Sequence, residues 1–171
     1  GRPNAISVMA ISAAGSMYDP SAFYYMKKIA TGPEAADVID VDASVEDNIR
    51  NVAQAKQKSV RDITVVVLDR PRHDDLQAAI REAGAKVRLI ADGDVAGAVA
   101  AAKHGNSVDL MMGIGGTPEG VITAAAMRCL GGAIQGRLWP KTDEEIARAA
   151  TGEYDTDKVL YTNDLCSSKD C

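Results

Sequence analysis

Between Asp62 and Cys129 the chain states one pattern three times over: a short apolar run, a charged or glycine-rich turn, then apolar residues at helical spacing. Ile63 to Leu68 (ITVVVL) is a run dominated by β-branched residues and predicts a strand buried on both faces. Arg70-Pro71-Arg72-His73 follows, then a helix facing inward through Leu76, Ala79, Ile80 and Ala83 and closed by Gly84. Val87 to Ile90 predicts the second strand, Asp92-Gly93-Asp94 its turn, and Val95, Ala98, Val99 and Ala102 the next helix. Val108 to Met112 then empties into GIGGTPEG, and Ile122, Ala125, Ala126 and Cys129 carry a further helix, broken by Gly131-Gly132. A helix between two strands returns the chain in the same direction, so this grammar predicts an α/β fold with a largely parallel sheet and flanking helices. All three chemically loaded turns follow strands, and in such sheets the crevice beyond the strands' carboxyl ends is where ligands bind.

Outside that block, Ala5 to Ser12 (AISVMAIS) reads as a buried strand and Tyr24 to Ile29 as extended or helical. Val38 to Val41 is short and apolar. Ser44 opens a helix with Asp47 at the capping-box position and Val45, Ile49, Val52 and Ala53 on one face. Ala133 to Leu138 predicts a strand, Asp143 to Ala150 a helix, and Lys158 to Tyr161 a last short strand. The 171 residues suit one domain, since about 100–200 residues is the usual size. Aromatics are only 4 %, so the core must be built of Ala, Val, Ile, Leu and Met.

A net charge of −5 gives no electrostatic case for nucleic acid or an anionic membrane. No stretch approaches the roughly 18–20 apolar residues of a membrane-spanning helix. Cys129, Cys166 and Cys171 do not make a disulfide framework, which favours an intracellular protein, although Cys166 and Cys171 can pair. The start at Gly1-Arg2-Pro3 without methionine and the polar end LCSSKDC suggest a piece of something longer.

Each turn admits two readings. Arg70 and Arg72, flanking Pro71, can clamp a phosphate or carboxylate with two guanidinium forks, or can lie solvated against Asp74 or Asp75. His73 reads as a helix starter and His104 as a surface residue. Asp92 and Asp94 about Gly93 can bind a divalent cation or sugar hydroxyls, or can stabilise the turn and cap the helix. In GIGGTPEG, Thr117 reads as the N-cap, Pro118 as the first helical residue, and the bare glycines as a cradle whose N–H groups approach an anion. Glu119 does not suit a pure phosphate site and is better explained as a metal ligand, or as a surface glutamate favoured by the helix dipole. Tyr25, with Lys27 and Lys28, can supplement an anion site, or be a core tyrosine beside solvated lysines.

Five stretches in order, YMKKIATGPEA from Tyr25, DASVEDNIR from Asp42, LDRPRH from Leu68, DGDVAGAV from Asp92 and GIGGTPEGV from Gly113, resemble the class II (GlpX-type) fructose-1,6-bisphosphatases across nearly the whole chain. The likeness is greatest to the dual fructose-1,6-/sedoheptulose-1,7-bisphosphatase form of photosynthetic bacteria. The resemblance implies the carboxyl-terminal half of a lithium-sensitive sugar-phosphatase fold, a site using Mn²⁺ or Mg²⁺, and a cytoplasmic homo-oligomer (dimer or tetramer) in the full-length form. It implies hydrolysis of a sugar bisphosphate in gluconeogenesis or the Calvin cycle. By motif it assigns Tyr25, Arg70, Pro71 and Arg72 to the substrate's non-reacting phosphate and Asp92, Gly93 and Asp94 to sugar hydroxyls. Gly116 becomes another substrate contact and Glu119 a metal ligand. The family's amino-terminal half, with its other acidic ligands, has no counterpart in these residues. The expectation is therefore a substrate-recognition domain over residues 1–171, with a catalytically inactive sugar-phosphate-binding or structural module as the alternative.

Overall fold

A computed structural model of the chain describes residues 7–169 and Cys171. The first elements are β1 (Tyr25–Thr31) and α1 (Val45–Ala55). The three repeated units are β2 (Thr64–Leu68) with α2 (Asp74–Glu82), β3 (Lys86–Ile90) with α3 (Asp94–Ala102), and β4 (Leu110–Gly116) with α4 (Thr117–Leu130). β5 (Ala133–Leu138), α5 (Asp143–Ala150), β6 (Leu160–Tyr161) and α6 (Thr162–Leu165) complete the chain.

The six strands form one sheet in the order β3-β2-β4-β1-β5-β6. Pairing is parallel for β2 with β3 and with β4, as the repeated grammar predicts. The sheet as a whole is mixed, because β1 runs antiparallel to both β4 and β5, and β6 antiparallel to β5. β1 lies 79 residues before the start of α3's successor strand only in the chain; in space it is the neighbour of β4, with Tyr25 opposite Gly116 and Thr31 opposite Leu110.

 The distance along the chain is what hides this pairing from a local reading of the sequence.

Side chains alternate across the sheet and sort the core into two layers. Met26, Ala30, Val66, Met111 and Ile134 pack against Ala98, Ala101, Val121, Ala124 and Met127 of α3 and α4. Ile29, Val65, Val67, Leu110 and Met112 pack on the other face against Ile49, Val52 and Ala53 of α1 and Ile80 of α2. The crossover from β2 to β3 runs one way along the sheet and that from β3 to β4 runs back past β2. Their helices consequently lie on opposite faces, as crossovers of one hand require. A crevice opens where such a reversal occurs, at the carboxyl ends of the strands.

Local signals set several element ends. Ser44 accepts a hydrogen bond from Asp47 N at 3.0 Å and starts α1. Thr142 and Glu145 form a reciprocal capping box on α5. Two expectations are corrected. Residues 7–12 form no strand and expose Val8, Met9 and Ile11, while Ala5 and Ile6 lie outside the described residues. The glycines after Met112 do not form a loop: β4 continues through Gly116 and pairs with β1 along its length, with Gly113 at φ +147°, a backbone conformation that favours glycine. Gly116 thus occupies the N-cap of α4, and Thr117 is its first helical residue rather than its cap.

Candidate functional site

One end of the sheet collects the carboxyl ends of β2, β3, β4 and β5 together with the amino end of β1, whose direction is reversed. Tyr25 therefore stands beside Gly116, and the three turns predicted as loaded open around it. Tyr25 carries the Arg72 guanidinium over its ring, 5.4 Å from the centroid. Trp139, just past β5, meets the same ring edge-on at 6.2 Å.

The arginines do not lie against Asp74 or Asp75. Arg72 donates through Nε and Nη2 to the carbonyl of Ile114, at 3.1 and 2.9 Å. Arg70 donates through Nη1 to the carbonyls of Asp69 and Ala91, both at 2.8 Å, and its Nη2 is 3.9 Å from Asp92 Oδ1. Pro71, the residue between the two arginines, begins a 3₁₀ turn, Pro71–His73, that contains Arg72 and has Arg70 at its N-cap. Both guanidinium groups are held by backbone oxygens, which orient them while leaving the charge of Arg72 without a carboxylate partner among the described residues.

His73 is more than a helix starter. It is buried, at 1 % exposure, and bridges two strands: Nδ1 lies 2.8 Å from the Leu68 carbonyl, and Nε2 lies 2.8 Å from Ile114 N. A backbone N–H only donates, so Nε2 accepts and the proton sits on Nδ1. Ile114 is thereby held from both sides, by His73 at its N–H and by Arg72 at its carbonyl. Burial is the largest influence on this imidazole and pushes its pKa below the ordinary histidine value, with the Arg72 and Arg70 charges adding to the effect; the backbone contacts at Leu68 and Ile114 oppose it.

The two aspartates of Asp92-Gly93-Asp94 part company. Gly93 takes the N-cap of α3 in the left-handed region, at φ +84°, so Asp94 does not cap the helix. Asp92 is exposed and accepts from Gly93 N at 3.0 Å. Asp94 is buried, 6 % exposed, and its Oδ2 lies 2.7 Å from Lys28 Nζ. Lys28 is not solvated either: at 2 % exposure it sits on the α3/α4 side of β1 and also donates to the Gly116 carbonyl at 2.9 Å. A sequence reading misses it because a lysine beside an exposed lysine looks like a solvated pair. Its only local signal is alternation, which puts Lys28 on the same face as buried Met26 and Ala30.

The glycines of β4 make room for side chains rather than baring the strand to a ligand. A Cβ on Gly115 would collide with Asp94 Oδ2 and stand 3.1 Å from Lys28 Nζ. A Cβ on Gly116 would collide with the Glu119 carboxylate, which is exposed and folds back from the first turn of α4 over that glycine. Glu119 thus stands at the sheet end, next to the glycine that accommodates Asp94. Among the described residues no group of three or more His, Cys, Asp or Glu comes together as a metal site, so these residues do not by themselves build a metal centre. The remaining cysteines are thiols, with Cys166 Sγ 3.5 Å from Cys171 Sγ. No helix among the described residues is long and apolar enough to cross a membrane.

Comparison with known proteins gives this geometry a family. The family described as bacterial fructose-1,6-bisphosphatase, glpX-encoded, matches residues 1–171. A protein of Synechococcus elongatus named D-fructose 1,6-bisphosphatase class 2/sedoheptulose 1,7-bisphosphatase is 40 % identical over 99 % of this chain and 53 % of its own length. A Synechocystis protein of the same name is 47 % identical over 81 % of this chain and 40 % of its own. The chain spans about half the length of the curated relatives it matches. On the extent of these matches, the chain belongs to the glpX-encoded bacterial fructose-1,6-bisphosphatase family.

Proposed function

We propose that this chain is the substrate-recognition portion of a divalent-cation-dependent phosphatase acting on fructose 1,6-bisphosphate, and on sedoheptulose 1,7-bisphosphate as well. The observation that carries the reading is the backbone-held Arg72 on the Tyr25 ring, a cation without a carboxylate partner among the described residues, beside Arg70 at the end of β2. Such forks match the geometry of a phosphate dianion. In this reading Tyr25, Arg70, Pro71 and Arg72 hold the phosphate that does not react, and Asp92, Gly93 and Asp94 orient the sugar. Asp94 does so as one half of a buried ion pair with Lys28, which fixes its carboxylate at the turn. Gly116 leaves space beside the reacting end. Holding a substrate at a remote group converts binding into orientation, and orientation alone can supply several kcal/mol of a barrier, roughly 7–11 in the best cases.

Hydrolysis then breaks the P–O bond of the 1-phosphate and releases orthophosphate and the sugar monophosphate. A bound Mn²⁺ or Mg²⁺ supplies Lewis-acid polarisation of the phosphoryl oxygens. Glu119 would contribute one ligand, and the others would have to come from elsewhere in the full-length protein. The proposal includes a place in gluconeogenesis or the Calvin cycle, in a homo-oligomeric cytoplasmic enzyme, which rests on the resemblance drawn from the sequence motifs. For the 171 residues taken alone, the lack of a three-ligand group among the described residues supports the second reading, a sugar-phosphate-binding module without catalysis.

The test is orthophosphate release by the full-length protein. Arg72→Ala is expected to lower kcat/KM on fructose 1,6-bisphosphate by about 100-fold, in line with loss of a bidentate charge-assisted contact of about 3 kcal/mol. Glu119→Gln is expected to shift the cation dependence to higher concentration. A wild-type kcat/KM in the Arg72 variant sinks the clamp, and an unchanged cation titration in the Glu119 variant removes the ligand.

A further inference from the structure

The motifs assigned above leave out the segment that follows β5, although β5 delivers its carboxyl end to the same place. Lys141 Nζ stands 5.1 Å from the centroid of the Tyr25 ring, the ring that also carries Arg72 at 5.4 Å. One phenol thus serves two cations, and neither forms an ion pair among the described residues. Two like charges drawn to one ring repel each other, and a bound anion relieves the repulsion.

Lys141 is also placed rather than loose. Its backbone N donates to Glu145 Oε2 at 2.9 Å, and the other oxygen, Oε1, accepts from Tyr24 N at 2.7 Å. Thr142 N donates to the same Oε2 at 3.2 Å. Glu145 is 2 % exposed, so a single buried carboxylate sets both the loop of Lys141 and the residue before Tyr25. Trp139 braces the ring from its edge and donates its backbone N–H to the Tyr25 carbonyl at 2.9 Å. The side chain of Lys141 is exposed at its end, which suits a group that meets a ligand arriving from solvent.

We propose that Lys141 is a third cationic contact for the non-reacting phosphate, acting with Arg70 and Arg72 to select substrates that carry a phosphate at both ends. This rests on the functional reading above and adds to it a specificity residue from outside the matching motifs. Its chemistry is that of an ammonium on a phosphate monoester dianion. It grips the ground state and the transition state alike, so its loss raises KM and leaves kcat in place.

Fructose 6-phosphate, which carries only the phosphate at issue, is the probe, with full-length protein titrated calorimetrically in the wild type, Lys141→Gln, Lys141→Arg and Arg72→Ala. Lys141→Gln is expected to weaken binding roughly 3- to 10-fold, the modest size of a partly exposed charged contact, and Lys141→Arg to restore most of it. On fructose 1,6-bisphosphate the same Gln variant is expected to show a matching rise in KM at wild-type kcat and an unchanged melting temperature. Binding within the error of wild type in Lys141→Gln, alongside clear weakening in Arg72→Ala, overturns the role of Lys141 and leaves the functional reading standing. A fall in kcat with KM unchanged overturns it too. A wild-type protein that neither binds the monophosphate nor hydrolyses the bisphosphate overturns the functional reading, and this inference with it.

Discussion

His73 shows how much one side chain can settle. The carbonyl of Leu68 and the N–H of Ile114 are satisfied by opposite nitrogens of its ring, a division of labour open only to the neutral Nδ1–H form. Protonation would place a second proton where the Ile114 N–H already points. The folded-state pKa is lowered, chiefly by burial, so the unfolded chain binds the proton more readily. The contribution of His73 to stability is therefore complete above the ordinary histidine range and is lost as the pH falls through it toward the lowered folded value. His73→Phe keeps the bulk but strands two backbone groups, at a cost of about 1–3 kcal/mol for each. Thermal unfolding is expected to show that loss at neutral pH, and to show the gap between wild type and variant narrowing under acid. A gap that widens on acidification would contradict the tautomer assigned here. Because Ile114 also accepts from Arg72, loosening this bridge would disturb the proposed anion clamp as well as the sheet.

At the scale of elements, the junction of β4 and α4 is where structure and proposed chemistry compete for space. The strand runs to Gly116 with no loop between it and the helix, so the first turn of α4 presents Glu119 directly over the strand end. Gly116→Ala would press a methyl group into that carboxylate. The carboxylate is the far end of an exposed, flexible side chain, and turning it aside costs the fold little. The expected result is a melting temperature shifted by no more than about 2 °C, in keeping with surface changes of about 0.5 kcal/mol, and a full-length enzyme that needs much more cation for activity. A large loss of stability would mean that Gly116 serves packing and not Glu119. Gly115, one residue earlier, is different, since the groups it accommodates are the buried Lys28 and Asp94. Removing one member of such a pair typically costs about 3–5 kcal/mol, because the other is left charged and unpartnered.

Across the whole molecule, the described residues hold the Glu119, Asp92 and Asp94 carboxylates at the site but no group of three or more that comes together to hold a metal. Calorimetric titration of the 171-residue chain with Mn²⁺ is accordingly expected to show no stoichiometric site tighter than millimolar; a micromolar site would overturn the division of labour proposed between this chain and the rest of the enzyme. The parts legible in the sequence are those written in local periodicity. The three units from β2 to α4 follow from β-branched runs and helical spacing, and Ser44 marks α1 by its own chemistry. The parts that are not legible depend on partners far along the chain. Nothing around Tyr25 says that β1 will lie between β4 and β5, so nothing says that Lys28 will meet Asp94, or that Lys141 will meet Tyr25. The apolar run over residues 7–12 misleads for the same reason, since a strand needs a neighbour and none of the described strands receives it.

The place of β1 has a consequence in time. Among the described residues it is the first strand along the chain, and it sits inside the sheet, between two strands that follow it much later in sequence. The units from β2 to α4 close over short stretches of chain, whereas seating β1 means closing long loops on both of its edges, which costs entropy before any pairing rewards it. Until then Met26, Ile29 and Ala30 remain uncovered and the strand's hydrogen-bonding edges are open to other chains. The same long-range step brings Tyr25 to Arg72 and Lys28 to Asp94, so the proposed phosphate contacts assemble only once β1 is seated between β4 and β5.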